Sequence, residues 1–418
     1  MDISLLFTVL FAVLILSVLF NSRATAIEEL EYSAEEGEKM DFSVLRKAVE
    51  EVESVDGHCH NIVAFDSNSV QGFIQAFTVG AFGDAEAFAF AQQSLSFKRS
   101  LRDIAKLYGT GLSLESVEEY RRVSGIQSIT STCFKAARFS AILMDDGIDM
   151  MDKVYDIEWH KTFAPFVGRI LRTERVAEKI LEQVRYLHTF TFNMHIPLLV
   201  KFSGFRFLSI IVTVANEIYA LKSIAAYYGG LEINLNVAKT DAEEDLRQLL
   251  NAGKPLFLLN YKSLVSYIFL QSLEVSLSYD LPMQIHTGFG DKLLDLRKSN
   301  PLHFRAVLED KRYSKCRFVY LDFGLAIPKL SVHGMISAVK DLLNLAPLSK
   351  VMFSTDAYTF PETFYLGAKN SREVVFSVLR DACINGDLSL PEAVEAAKDI
   401  FARNAIRFYN ISSAKVVP

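Results

Sequence analysis

Short apolar, β-branched runs recur along this chain from Met40 onward, and a longer stretch of helical period follows most of them. Nothing else in the sequence constrains the fold so tightly. Parallel strands need a crossover segment, usually a helix, and strands covered on both faces read as near-continuous apolar runs. The runs are Val55–Val63 ("VDGHCHNIV"), Ser140–Ile148 ("SAILMDDGI"), "FVGRIL" leading into "RTERVAEKILEQ", and Ala220–Ile233 ("ALKSIAAYYGGLEI"). "LPMQIHTGFGD" (Leu281–Asp291), "CRFVYLDFGLAIPKL" and "KVMFSTDAYTFPE" complete the series. Between them, "SLSFKRSLRDIAKLYG" and "SLESVEEYRRVSG" read as helices that stop at glycine, and "DAEEDLRQLLNAG" as the helix after the fourth run. The last helix opens at Ser389, with Pro391 in its first turn and Glu392 placed for a capping box. The pattern predicts an α/β protein built of βα units around a mostly parallel sheet. Seven strands stand out where a (β/α)8 barrel needs eight.

Half of the 418 residues are apolar, enough for one large barrel core. Charged residues make up 22%, the net charge is −6, and no basic stripe alternates with aromatics. That excludes a nucleic-acid partner and suits an enzyme or small-molecule binder. Cys59, Cys133, Cys316 and Cys383 are far apart and form no CxxC pair, so reduced thiols are expected.

Two segments stand outside this scheme. Residues 3–20 carry no charge and precede small residues at Ala24 and Ala26, as in a secretory signal or a membrane anchor. The only early side-chain charge, however, is Asp2. An acidic linker, 27–39, follows, and Met40 then opens a second natural start. The expectation is a cytoplasmic protein if translation begins at Met40, and a secreted or anchored one, with membrane contact through 3–20, if the apolar segment is used. Residues 186–218 form an apolar insertion of neither period, with no acidic residue before Glu217. Lys201 and Arg206 interrupt it, so a buried insertion is expected rather than a membrane span.

The chemistry concentrates at strand ends. In a strand, residues two apart share a face, so His58 and His60 point together and Cys59 points away. Paired imidazoles suit a divalent ion, although HxH alone more often marks two ordinary histidines. His286 closes "MQIH" and Asp356 closes "VMFSTD", each an apolar run ending on a ligand-type residue. A core histidine bonded to a carbonyl and a helix-capping Asp are the plain alternatives. The recurrence of HxH, His and Asp on successive strand ends favours a metal site at the barrel mouth.

"DGHCHN", "LPMQIHTGFGD", "VYLDFGLAIPKL" and "VMFSTDAYTFPETFYLGAKNSREVV" resemble the amidohydrolase superfamily. The closest resemblance is to the N-terminal amidohydrolase-like half of plant nodulin/glutamine-synthetase-like, fluG-type proteins, over most of 40–418. It implies a (β/α)8 TIM-type barrel holding one or two divalent ions, zinc or manganese, with His58, His60, His286 and Asp356 as ligands. It implies that Asp356 also moves the catalytic proton, in hydrolysis of a C–N bond of a small-molecule substrate. Some relatives instead decarboxylate aromatic acids. Lys222 falls at the fourth strand, where binuclear relatives carry a carboxylated lysine. An ordinary ammonium that binds substrate is the preferred reading, with Asp291 as a second substrate contact. Tyr228 stands where a family arginine is expected.

The resemblance also exposes a gap. The strand-6 unit, which ends in a histidine ligand, is missing between "DKRYSKCRFV" and "YLDFGLAIPKL", and His303 and His333 are poor substitutes. With the extra N-terminus and the insertion, this reads as an altered transcript or gene model. The alternative function is a non-catalytic barrel serving as a binding or scaffold domain, the family form being fused to glutamine synthetase. A third reading is a chain that folds badly. A homo-oligomer is compatible with all three.

Overall fold

The structure, a computed structural model, describes residues 40–64, 85–147, 154–190, 207–252, 258, 261–291, 293–317, 320–324 and 330–412. Residues 1–39, and with them the apolar segment and its linker, lie outside the described residues, as do residues 191–206 of the 186–218 insertion. No helix among the described residues is long and apolar enough to cross a membrane.

The chain runs α1 (Ser43–Glu51), β1 (Ser54–His60), α2 (Ala85–Ala91), α3 (Leu95–Tyr108), α4 (Leu114–Ala137), β2 (Phe139–Asp145), α5 (Ile157–His160) and β3 (Val167–Arg172). It continues with α6 (Thr173–Phe190), α7 (207–214), β4 (Ala220–Ser223), α8 (Lys239–Asn251), α9 (Lys262–Tyr279), β5 (Met283–Ile285) and α10 (Arg305–Glu309). The last elements are β6 (Leu321–Asp322), α11 (Val332–Leu345), β7 (Val351–Met352), α12 (Pro361–Ile384), α13 (Leu390–Lys398) and α14 (Asn404–Phe408).

Strands β1 to β5 pair in sequence order, all parallel, into one curled sheet, and β6 pairs with β7. Strands consecutive in sequence usually lie side by side, and a parallel neighbour is reached by a right-handed crossover. Beyond β7 the chain runs along the free edge of β1. Gly57 and His60 donate to the carbonyls of Phe353 and Ala357, and Val63 to that of Thr359. At the other edge, the Met283 N–H of β5 donates to the Arg317 carbonyl, 3.1 Å away. Arg317 and Leu321 are four positions apart, so one short stretch bonds β5 at one end and β7 at the other.

The helices form where the sequence signals them. Ser94 and Ser113 cap α3 and α4, and Gly109, at φ 65°, ends α3. The glycine expected to end the next helix does not. Gly125 leaves helical geometry at φ 74°, and the helix resumes beyond it to Ala137. Glu392 accepts the Ser389 N–H at 2.8 Å, completing the expected capping box.

Two cores lie outside the sheet. One joins α1, α3, α4, α12 and α13 to β1 and β2. The other packs α6, α7, α8 and α9 on β3, β4 and β5. Inside the curl, Val55, Ala141, Leu143, Ile170, Ala220 and Met352 meet Phe408 and Tyr409, closing the floor beneath the site. All four cysteines are unpaired thiols.

Candidate metal centre

The register of β1 against β2 slips between Asp56 and Cys59, so Gly57 and His58 together oppose Leu143. A slip of this kind re-aims side chains. Val55 joins the apolar floor, while His58 and His60 face the same space above it, their ring centroids 5.0 Å apart. Cys59 points outward, its thiol 3.4 Å from the Leu143 carbonyl. The Asp356 N–H donates to the His58 carbonyl at 2.9 Å, which sets this carboxylate beside both rings.

Asp356 Oδ1 lies 3.2 Å from His60 Nε2 and 3.5 Å from His58 Nε2. One donor atom from each of these three residues falls within 4.8 Å of the other two. Burial would push the Asp356 carboxyl up, but His58, His60 and Lys222 around it hold it well below the usual carboxylate range. Burial and the neighbouring Lys222 ammonium push His58 well below an ordinary imidazole, so it is neutral at pH 7, the form that coordinates metals. The His60 ring is fixed from behind, its Nδ1–H donating to the Asp145 carbonyl at 3.0 Å.

His286 follows β5, its N–H donating to the Ser223 carbonyl at 3.0 Å. Burial, then Lys222, lowers its imidazole to about 4. Its Nε2 is buried with no hydrogen-bond partner, and the ring packs on Tyr227. It stands outside the tight group of His58, His60 and Asp356. Lys222 joins the cluster, with Nζ 2.9 Å from His58 Nε2. Burial lowers its pKa, against the pull of Asp145, Asp356 and Asp322. The Asp291 carboxylate accepts the Leu293 N–H at 2.8 Å and so is held by its own loop. Tyr228 donates to Glu178 at 2.7 Å. His303 and His333 are exposed and distant in role; His303 Nε2 bonds the Arg297 carbonyl at 2.9 Å.

Four residues unmarked in the sequence complete the surroundings. Asp56 accepts N–H groups from His58 at 3.2 Å and Thr355 at 3.0 Å, and burial raises its carboxyl to about 7. Asp145, fully buried, takes a two-nitrogen bond from Arg172 at 2.5 and 3.0 Å. Asp322 reaches toward the far side of His58, Oδ2 lying 3.9 Å from Nδ1. Asp145 and Asp322 close apolar runs just as Asp356 does, and that signal applied evenly would have found both.

The fold and site together define an α/β protein with a curled parallel sheet and a His-His-Asp group able to hold a metal ion at the strand ends. No family model matches the chain. It is similar to Protein fluG of Emericella nidulans, 26% identical over 410 residues, covering 89% of this chain and 47% of fluG. The chain thus spans about half the length of that curated relative. In three dimensions it matches a proposed metal-dependent hydrolase from Lactobacillus casei at TM-score 0.75 and 19% identity, over 90% of this chain and 99% of the other. It also matches uronate isomerases from Thermotoga maritima and Bacillus halodurans. The TM-scores are 0.60 and 0.56, at 13% and 12% identity, over 87% and 89% of this chain and 96% and 98% of theirs. At these identities the likeness is one of fold.

Proposed function

We propose that this chain is a metal-dependent hydrolase of amidohydrolase type, acting on a C–N bond of a small molecule, on a (β/α)8-type barrel reduced by one strand unit. The convergence of His58, His60 and Asp356 carries the reading, since their donor atoms come from strand ends far apart in sequence and meet within 4.8 Å. The donor set fits a divalent ion: two imidazoles and a carboxylate are ligands zinc and manganese accept. The orphaned His286 Nε2 supports the fit, because a buried nitrogen without a partner is costly unless something binds it.

A divalent ion held by His58, His60, His286 and Asp356 would polarise a substrate carbonyl and acidify water. The residues themselves supply the rest. Asp356, ionised and with Oδ1 3.2 Å from His60 Nε2, can take a proton at Oδ1 and return it to a leaving nitrogen. Lys222 offers the buried ammonium that would steady an anionic substrate group, and Asp291, on the loop after β5, a second polar contact. The Lactobacillus casei hydrolase and fluG support this class of activity by likeness of fold and sequence.

A non-catalytic binding or scaffold barrel is the second reading. The stretch that bonds both β5 and β7, "RFVYLD", supplies no histidine in the place of the expected strand-6 ligand. Elemental analysis of the purified full chain, beside the double variant His58→Ala/His60→Ala, separates the two. Stoichiometric zinc or manganese that disappears in the variant supports the hydrolase. Equal metal content in both proteins, or none in either, overturns it.

A further inference from the structure

We propose that Asp322 is a positioning residue that fixes His58 for metal binding, a carboxylate delivered by the short stretch that bridges β5 and β7. The inference rests on the metal-site reading above and goes beyond it, since neither the family resemblance nor the tight donor group includes this residue.

His58 presents its two ring nitrogens to different neighbours. Lys222 Nζ lies 2.9 Å from His58 Nε2, so an ammonium there meets the lone pair of that nitrogen. Nδ1, on the opposite side of the ring, faces Asp322 Oδ2 at 3.9 Å, the side from which a carboxylate can hold an Nδ1 proton. His60 has the same polarity from a different acceptor: Nδ1–H to the Asp145 carbonyl, Nε2 toward Asp356. Both rings therefore turn Nε2 to the shared centre. A carboxylate behind a ligating imidazole holds its tautomer and strengthens it as a donor.

Asp322 is itself held. Its Oδ1 accepts from Ser354 Oγ at 2.8 Å and from the Gly324 N–H at 3.2 Å, which leaves Oδ2 for His58. A Cβ on Gly324 would meet the Asp356 backbone nitrogen at 2.9 Å, so the stretch lies closer to Asp356 than any other residue type permits.

The test uses the full chain and Asp322→Asn. The new amide oxygen still accepts from Ser354 and Gly324, so the fold is kept while the charge behind His58 is removed. Two readouts are needed: the zinc Kd by competition with a chelator, and the protonation of the His58 ring nitrogens by 15N NMR of the metal-free protein. Roughly 10- to 100-fold weaker zinc binding is expected, with the His58 proton moving toward Nε2 and His60 unmoved. In a zinc-binding chain, an unchanged Kd overturns the proposal. So does a weaker Kd with an unmoved His58 ring, because Asp322 would then act on the ion directly. If the wild type binds no zinc, the hydrolase reading fails, yet a His58 shift still supports the positioning role and its absence overturns it. Ser354→Ala, which untethers the carboxylate without removing it, is the second variant should Asp322→Asn not fold. It is expected to shift both readouts in the same direction by a smaller amount.

Discussion

The Lys222 ammonium donates to His58 at Nε2, the nitrogen that also faces Asp356, across 2.9 Å. A protein cation thus occupies the corner that a metal ion would use, and like charges at such distances repel strongly in a buried site. Lys222→Met is expected to tighten zinc binding about tenfold or more, measured by isothermal titration. Loss of binding would instead place the Lys222 nitrogen in the ligand set, as a carboxylated lysine would be.

Asp356 sits at φ 46°, in the left-handed region that Asp and Asn tolerate better than other side chains. Asp356→Asn should therefore melt close to the wild type while binding zinc at least about tenfold more weakly, having lost its charge. Asp356→Ala should show the same loss of zinc and a further destabilisation of about 1–2 kcal/mol from the backbone. Equal melting temperatures for the two variants would contradict the strain argument.

Gly324 abuts the segment after β7 that carries Asp356. A Cβ there would meet Asp356 N at 2.9 Å and Asp356 Cβ at 3.1 Å, and backbone cannot swing aside as a long side chain can. Gly324→Ala should cost about 1–3 kcal/mol, the usual range for overpacking, and should weaken zinc binding by displacing Asp356. A thermal melt and a zinc titration on one preparation test both effects.

His160 makes stability depend on pH. Its Nδ1–H donates to the Asp156 carbonyl at 2.6 Å and its Nε2 accepts the Ile62 N–H at 3.2 Å, an arrangement only the neutral ring can make. Burial lowers it to about 4 from the ordinary 6.5. The unfolded chain therefore binds the extra proton first. The contribution is complete above about pH 6.5 and falls away as pH drops toward 4, reaching about 3 kcal/mol. Asp56, raised to about 7 by burial, opposes it across the same range. The measurement is therefore the difference between wild type and His160→Gln in urea midpoint at pH 7.5 and pH 5. The wild type should lose more stability than the variant on acidification.

The strands were legible where burial on both faces leaves a continuous apolar run, as in β2 (FSAILMD); β1 (SVDGHCH) is as fully buried yet carries Asp56, His58 and His60. His58, His60, His286 and Asp356 were legible because a ligand-type residue ending such a run is conspicuous. The slip at Gly57 and His58 was not, since a register shift depends on how β2 lies beside β1, and no local pattern encodes that. Nor was Gly125, where the expected helix stop became a break within a longer element. The Lys222–His58 contact was hidden for a related reason: it joins residues 164 positions apart, on β4 and β1.

His60 and Asp356 touch across 296 positions, and the backbone of the segment after β7 bonds directly to that of β1. Contacts so far apart in sequence are among the costliest to close during folding. During synthesis the two histidines leave the ribosome long before the carboxylate, and until residues 351–359 lie against β1 the group that could grip an ion does not exist. Capture of a metal would then come after assembly of the protein and would secure a chain whose two ends have already met.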